Sequence, residues 1–224
     1  FLDTAATDAG LSALSPWGGG EPASSAPGVE PPKIRRNHPW RRAGAGIAMA
    51  GGTPRVVTLR TPSSSTQHFA FDADQLRRAV TNKTRAIVIN TPNNPTGKVF
   101  SREELTQIAD LCIKHNLIAI TDEVYKRLLF DPKLPHISIA SLPGMADRTI
   151  TLSSLGKSFS LTGWKIGWAI ASRELTAAVR AAHQFLTFCS STPLQHGAAV
   201  ALTYGEPHIA ELVKDLSAGR DYLG

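Results

Sequence analysis

The chain contains no apolar run near the roughly 18 residues that a membrane-crossing helix requires. Its longest runs, such as Leu117 to Ile120 and Trp168 to Ala171, are soon broken by charged or polar residues, so no membrane partner is expected. Cysteine is scarce as well. Cys112 and Cys189 are the only two, too far apart for metal-ligand spacing and without the framework of a disulfide-rich secreted domain. That excludes a zinc-type site, predicts no bound metal, and fits a reducing, intracellular and by preference cytoplasmic compartment. Cys112 falls on the apolar face of a predicted helix, where a small core hydrophobe is the simple reading. Concentrated charge is also missing. The net charge is +6, but Lys and Arg are scattered, and the densest basic stretch, Arg35, Arg36, Arg41 and Arg42, lies in a segment rich in Pro, Gly and Ala that reads as a solvated tail. Nucleic acid is therefore not an expected partner. There is no internal repeat.

Residues 1–45 contain Asp3, Asp8, Glu21 and Glu30, whereas organelle-targeting leaders are poor in acidic residues. The segment is read as an atypical, low-complexity and disordered leader. The chain as a whole, at 224 residues and 42% hydrophobic, is long enough to bury one substantial core.

From about residue 46, strand-like and helix-like segments alternate in the manner of βαβ units. Val56 to Arg60 reads as a strand. Asp72, with Gln75 three residues on, reads as the N-cap of a helix ending near Val80. Arg85 to Asn90 is an apolar, β-branched run suited to a strand covered on both faces. Ser101 and Glu104 form a capping-box pattern ahead of an apolar stripe, Leu105, Ile108, Ala109, Leu111 and Cys112. Leu117 to Thr121, Thr149 to Ser153 and Ile166 to Ala171 read as three more strands. Helices are predicted over Glu174 to Leu186 and from Pro193 to the end. The fold class is thus α/β with a mainly parallel sheet, in which ligands sit beyond the carboxyl ends of the strands. Asn94, Asp122, Ser154 and Lys157 all follow predicted strands closely and can converge there.

Singly, each of these has an ordinary explanation. Asn93 to Gly97 is built from turn-forming residues, and Asp122 and Tyr125 can simply end a strand. Gly156-Lys157-Ser158 suggests a nucleotide-phosphate loop, but that pattern needs glycine at position 151, which is Thr. Trp164 and Trp168, on either side of a strand start, read as core residues rather than a substrate cage, and His183 and His196 read as helix residues rather than ligands.

Three stretches in order carry more weight: Asn90-Thr-Pro-Asn-Asn-Pro-Thr-Gly97, Thr121-Asp-Glu-Val-Tyr125, and the run from Ser153 through Gly156-Lys157-Ser158-Phe159 to Gly163-Trp164-Lys165-Ile166-Gly167-Trp168. From about residue 46 to the end the sequence resembles the class I/II, fold-type-I aminotransferases, most closely the branch with kynurenine aminotransferase and cysteine-conjugate β-lyase. The resemblance implies a three-layer large domain, incomplete at both ends, over residues 46–190, with 191–224 a helix leading toward a small domain. It implies pyridoxal 5'-phosphate as cofactor, an amino acid and a 2-oxo acid as substrates, and a homodimer.

By the same resemblance, Lys157 carries the cofactor as a Schiff base, Asp122 faces its ring nitrogen, Tyr125 and Asn94 bond its phenolic oxygen, and Ser154 and Lys165 hold its phosphate. Gly163 and Gly167, flanking Lys165, are expected to permit close backbone approach. Lys157, Asp122 and Tyr125 are the catalytic candidates. The chemistry agrees with the residue types. A carboxylate favours a protonated ring nitrogen, and lysine is a primary amine able both to bond an aldehyde and to carry a proton. The reaction implied is transamination, with β-elimination from cysteine conjugates as an alternative. The family's upstream cofactor turn and downstream carboxylate-binding arginine find no match here, so a shortened, non-catalytic product is the reading from a different class.

Overall fold

The computed structural model describes residues 41–64 and 68–223. Most of the expected 1–45 leader lies outside them. A first helix, α1 (Arg41–Met49), for which the sequence gives no signal, belongs to a compact unit ending at Pro54, and Arg55 onward forms a second unit.

In the second unit, α2 (Ala73–Ala79) starts where Asp72 accepts hydrogen bonds from the N–H groups of Asp74 and Gln75, the expected N-cap. Next come β1 (Ala86–Asn90), α3 (Arg102–Lys114) and β2 (Ile118–Asp122). Then β3 (Thr149–Ser154) leads directly into the short α4 (Leu155–Ser158), followed by β4 (Gly167–Ile170), α5 (Arg173–Leu186), α6 (Thr192–Tyr204) and α7 (Glu206–Leu223). The sheet order is β1-β2-β3-β4; β1, β2 and β3 are mutually parallel and β4 is antiparallel to β3. The predicted mainly parallel sheet is therefore present. Among the described residues no helix is long and apolar enough to cross a membrane.

Helix α3 shows how local signals and packing agree. Ser101 Oγ accepts from Glu104 N, and the Glu104 carboxylate accepts from Ser101 N at 2.9 Å, a complete capping box. The stripe Leu105, Ile108, Ala109 and Cys112 is buried with Leu117, Ala119, Ile139 and Met145 in the larger core cluster. Cys112, fully buried, has its thiol pKa pushed up to about 11 by desolvation, with Arg148 opposing weakly. Glu104 also receives Lys98 Nζ at 2.8 Å, and the Lys98 side chain is only 4% exposed. That pair fastens the turn after β1 to the start of α3. A second cluster, Leu155, Ile166 and Ala198 with Phe159, Trp164, Trp168 and Leu194 around it, lies between α4, β4 and α6, so the two tryptophans are core residues as expected.

Two predicted elements differ. Val56 to Arg60 is not a strand: only Arg60 bridges, to Ala70, and Val56 is 54% exposed. Its β-branched composition finds no ladder among the described residues, and strand propensity without a partner does not make a strand. The single helix expected from Pro193 onward is two, α6 and α7, joined at Gly205. A Cβ there would lie 2.3 Å from the Phe159 ring, and Pro207, with no N–H to donate, opens the next helix.

Candidate active site

The carboxyl ends of the three parallel strands bring together segments far apart in sequence. Register pairs Asn90 with Asp122 and Asp122 with Leu152, so the last residues of β1 and β2 are neighbours, and β3 ends beside them. Asn90 ties the ends together. Its Nδ2 donates to the carbonyls of Pro92 (3.2 Å) and Asp122 (3.1 Å), while its Oδ1 accepts from Asn94 N (2.8 Å) and Asn93 Nδ2 (3.4 Å). The turn after β1 is closed by Asn93 N donating to Lys98 O, and Thr96 Oγ1 donating to Asn93 Oδ1 at 2.7 Å. Asn94 is thereby fixed, with its side chain exposed over the sheet end.

Asn94 Nδ2 donates to the Tyr125 hydroxyl at 3.2 Å. Lys157 Nζ lies 5.6 Å from the centroid of the Tyr125 ring. An amide, a phenol and an amine, each from a different segment, therefore meet at one place. Asp122 closes the group from β2. Its Oδ1 accepts from Val124 N at 3.1 Å, and its pKa is raised, first because burial disfavours its charge and further because Glu123 is adjacent; Val124's hydrogen bond and nearby Lys157 pull the other way. A partly buried carboxylate with its pKa raised is under-compensated, and a cation placed against it would stabilise it.

Ser154 ends β3 and caps α4, its Oγ accepting from Gly156 N at 3.2 Å. That cap sets where Lys157 emerges. Lys165 follows a 3-10 turn, Thr162–Trp164, in left-handed backbone (φ 55°, ψ 34°) and is exposed; Leu155 N donates to Ile166 O, so the hairpin brings position 165 back to the same strand ends. Close approach holds at Gly167, where a Cβ would stand 3.0 Å from the Ser153 carbonyl, but not at Gly163, which faces open space.

One buried group went unread in the sequence. Glu123, 1% exposed, accepts from His136 Nε2 (2.9 Å) and Ser138 Oγ (2.7 Å). The signal was available. Alternation along β2 puts 119, 121 and 123 on one face, and that face is the buried one, so an acidic residue there requires donors.

Residues 39–223 match the family model for aminotransferase class I and II. A probable N-succinyldiaminopimelate aminotransferase of Mycobacterium tuberculosis is 49% identical over 177 residues, 79% of this chain and 44% of that protein. Human kynurenine--oxoglutarate transaminase 1 is 46% identical over 162 residues, 70% of this chain and 38% of that protein. The solved N-succinyldiaminopimelate aminotransferase of M. tuberculosis superposes with a TM-score of 0.75, covering 79% of this chain and 45% of that one. An aromatic aminotransferase from Pyrococcus horikoshii, 35% identical, does so with a TM-score of 0.71, covering 81% and 47%. The chain spans less than half the length of the relatives it matches. With its matching motifs at the ends of a parallel sheet and a family model over most of its length, the chain belongs to the class I and II aminotransferases.

Proposed function

We propose that this chain forms the cofactor-binding part of an enzyme that transfers an amino group from an amino acid to a 2-oxo acid. The observation that carries the reading is the meeting of Asn94, Tyr125 and Lys157 beside the under-compensated carboxylate of Asp122. Members of this family use pyridoxal 5'-phosphate. When bound, it supplies an electron sink for the charge left as the substrate's α-proton departs.

The residues present fit that group. Asp122 holds a negative charge where the ring nitrogen would carry its proton, and a cation there relieves the burial that raises its pKa. Because the Tyr125 hydroxyl accepts from Asn94, its own proton is left to donate toward the cofactor's phenolic oxygen. Ser154 and Lys165 supply a hydroxyl and a point charge for the phosphate. Lys157 Nζ provides the covalent attachment and then, once free, takes and returns the substrate's proton at a site kept close to the Tyr125 ring.

The same proposal takes 46–190 as the large domain and 191–224 as the helical lead beyond it. A homodimer is the proposed assembly, with Phe185, Leu186 and Phe188, which are 85%, 74% and 74% exposed, as apolar surface in need of cover. Two free thiols fit a reducing, cytoplasmic setting. The names of the relatives make kynurenine and N-succinyldiaminopimelate the first amino donors to offer, with oxoglutarate as acceptor. The test is cofactor titration followed by amino transfer from a panel of amino acids. Binding of pyridoxal 5'-phosphate with a visible absorbance band, and transfer abolished by Lys157→Ala, are expected. No saturable cofactor binding would overturn the proposal.

A further inference from the structure

Glu123 adjoins Asp122 but enters the opposite face of β2. Burial works against its charge, yet the hydrogen bonds from His136 and Ser138 outweigh it, and its pKa is lowered. Thr121 Oγ1, at 3.4 Å, adds a third, longer contact. The other nitrogen of His136, Nδ1, is buried without a hydrogen-bond partner among the described residues. The hydrogen bond to Glu123 is thus what orients the ring.

The placement of this cluster in the chain gives it a consequence for the site. His136 follows Glu123 by 13 residues and Ser138 follows it by 15, and the intervening excursion begins with Val124 and Tyr125. Glu123 N donates to Leu152 O of β3, and Glu123 O accepts from Lys126 N. The carboxylate therefore closes the excursion at its root, one residue from Asp122 and two from Tyr125. A buried, hydrogen-bonded charge is a poor source of stability compared with well-packed apolar residues. What a buried carboxylate held by two donors provides instead is a single geometry.

We propose that Glu123 is a positioning residue: with His136 and Ser138 it holds the turn that presents Asp122 and Tyr125 to the cofactor. The inference rests on the pyridoxal-phosphate reading of the site. Its test uses Glu123→Gln, which keeps the volume but sets an amide group against two donors, and Ser138→Ala, which removes one donor and keeps the charge. Leu105→Ala, in the fully buried α3 stripe, is the control for lost stability alone.

Three quantities are read: the melting temperature without cofactor, the dissociation constant for pyridoxal 5'-phosphate, and the midpoint pH of its visible absorbance. Glu123→Gln should weaken cofactor binding about tenfold or more and raise the midpoint, since a phenolic oxygen that loses Tyr125's donor holds a neighbouring proton more tightly. Ser138→Ala should move both quantities in the same direction by less, and it decides the matter alone if Glu123→Gln does not fold. Leu105→Ala should lower only the melting temperature. If both cluster variants melt earlier but keep the wild-type dissociation constant and midpoint, Glu123 is structural and the inference falls by itself. If the wild-type protein binds no cofactor, it falls together with the functional reading.

Discussion

Replacing Asp122 by asparagine keeps the shape of the side chain and the hydrogen bond from Val124, and removes the charge. In the unliganded protein that charge is a burden. Burial raises the pKa of Asp122 above its ordinary 3.8, so between 3.8 and the raised value the folded chain holds a proton that the unfolded chain has released. Stability falls as pH rises through this window, and the penalty is complete at neutral pH. The asparagine escapes it. Against that gain stands a weaker hydrogen bond from Val124, now made to a neutral acceptor, and the net is a stabilisation at pH 7. It is read as a rise in melting temperature, at about 2–4 °C for each kcal/mol in a chain of this size. The difference between the two proteins should shrink as pH is lowered toward 3.8. Amino transfer should move the other way and fall about 100- to 1,000-fold, the usual cost of losing one preorganised electrostatic partner of a developing charge, while the cofactor remains able to attach. The assay is thermal melting without cofactor across pH 4–7, alongside turnover with saturating cofactor. An Asp122→Asn protein that melts earlier than wild type at pH 7, or that turns over at a near-normal rate, would refute the reasoning.

Borohydride reduction of the cofactor-loaded protein and peptide mass mapping should place the label on Lys157; label on Lys165 would sink that assignment. Glu123→Gln should show the opposite pH behaviour to Asp122→Asn. Its pKa is lowered from 4.5, so its stabilisation is present above that value and lost as pH falls through the lowered one, and melting of the variant should lie below wild type at pH 7 and converge with it in acid. A thiol reagent applied under native conditions should modify exposed Cys189 first, since Cys112 is fully buried with its pKa pushed up to about 11. Equal rates at the two cysteines would show that α3 opens readily.

Local signals carried the fold wherever packing agreed with them. Ser101 and Glu104 mark the start of α3 because both halves of a capping box lie within four residues, and the stripe behind them is buried as its spacing implies. The strands ending at Asn90 and Asp122 are short apolar runs followed by turn or polar residues, and each lies within a residue of its predicted limits. Val56 to Arg60 is likewise β-branched but finds no ladder among the described residues, and pairing is a property of the neighbour rather than of the segment. The break at Gly205 did have a local signal, a glycine with Pro207 two residues on, whereas Phe159, which packs where a Cβ at 205 would stand, lies 46 residues earlier and is not legible from a helical pattern. At the site, the residues facing the strand ends were legible from the motifs. For Glu123, the alternation along β2 marks a buried acid that requires donors, but the donors themselves, His136 and Ser138, belong to no recognised stretch.

The side chain of Asn90 has a consequence beyond holding a turn. It joins two segments 32 residues apart, with Nδ2 on the Asp122 carbonyl and Oδ1 receiving the Asn94 amide. A disturbance at the end of β2 therefore reaches the residue that partners Tyr125, and variants on the two segments should be epistatic while Asn90 is present and closer to additive once it is replaced by alanine. Both bonds are made to backbone groups, so the coupling runs through the positions of the two strand ends and survives a change of side chain at either one.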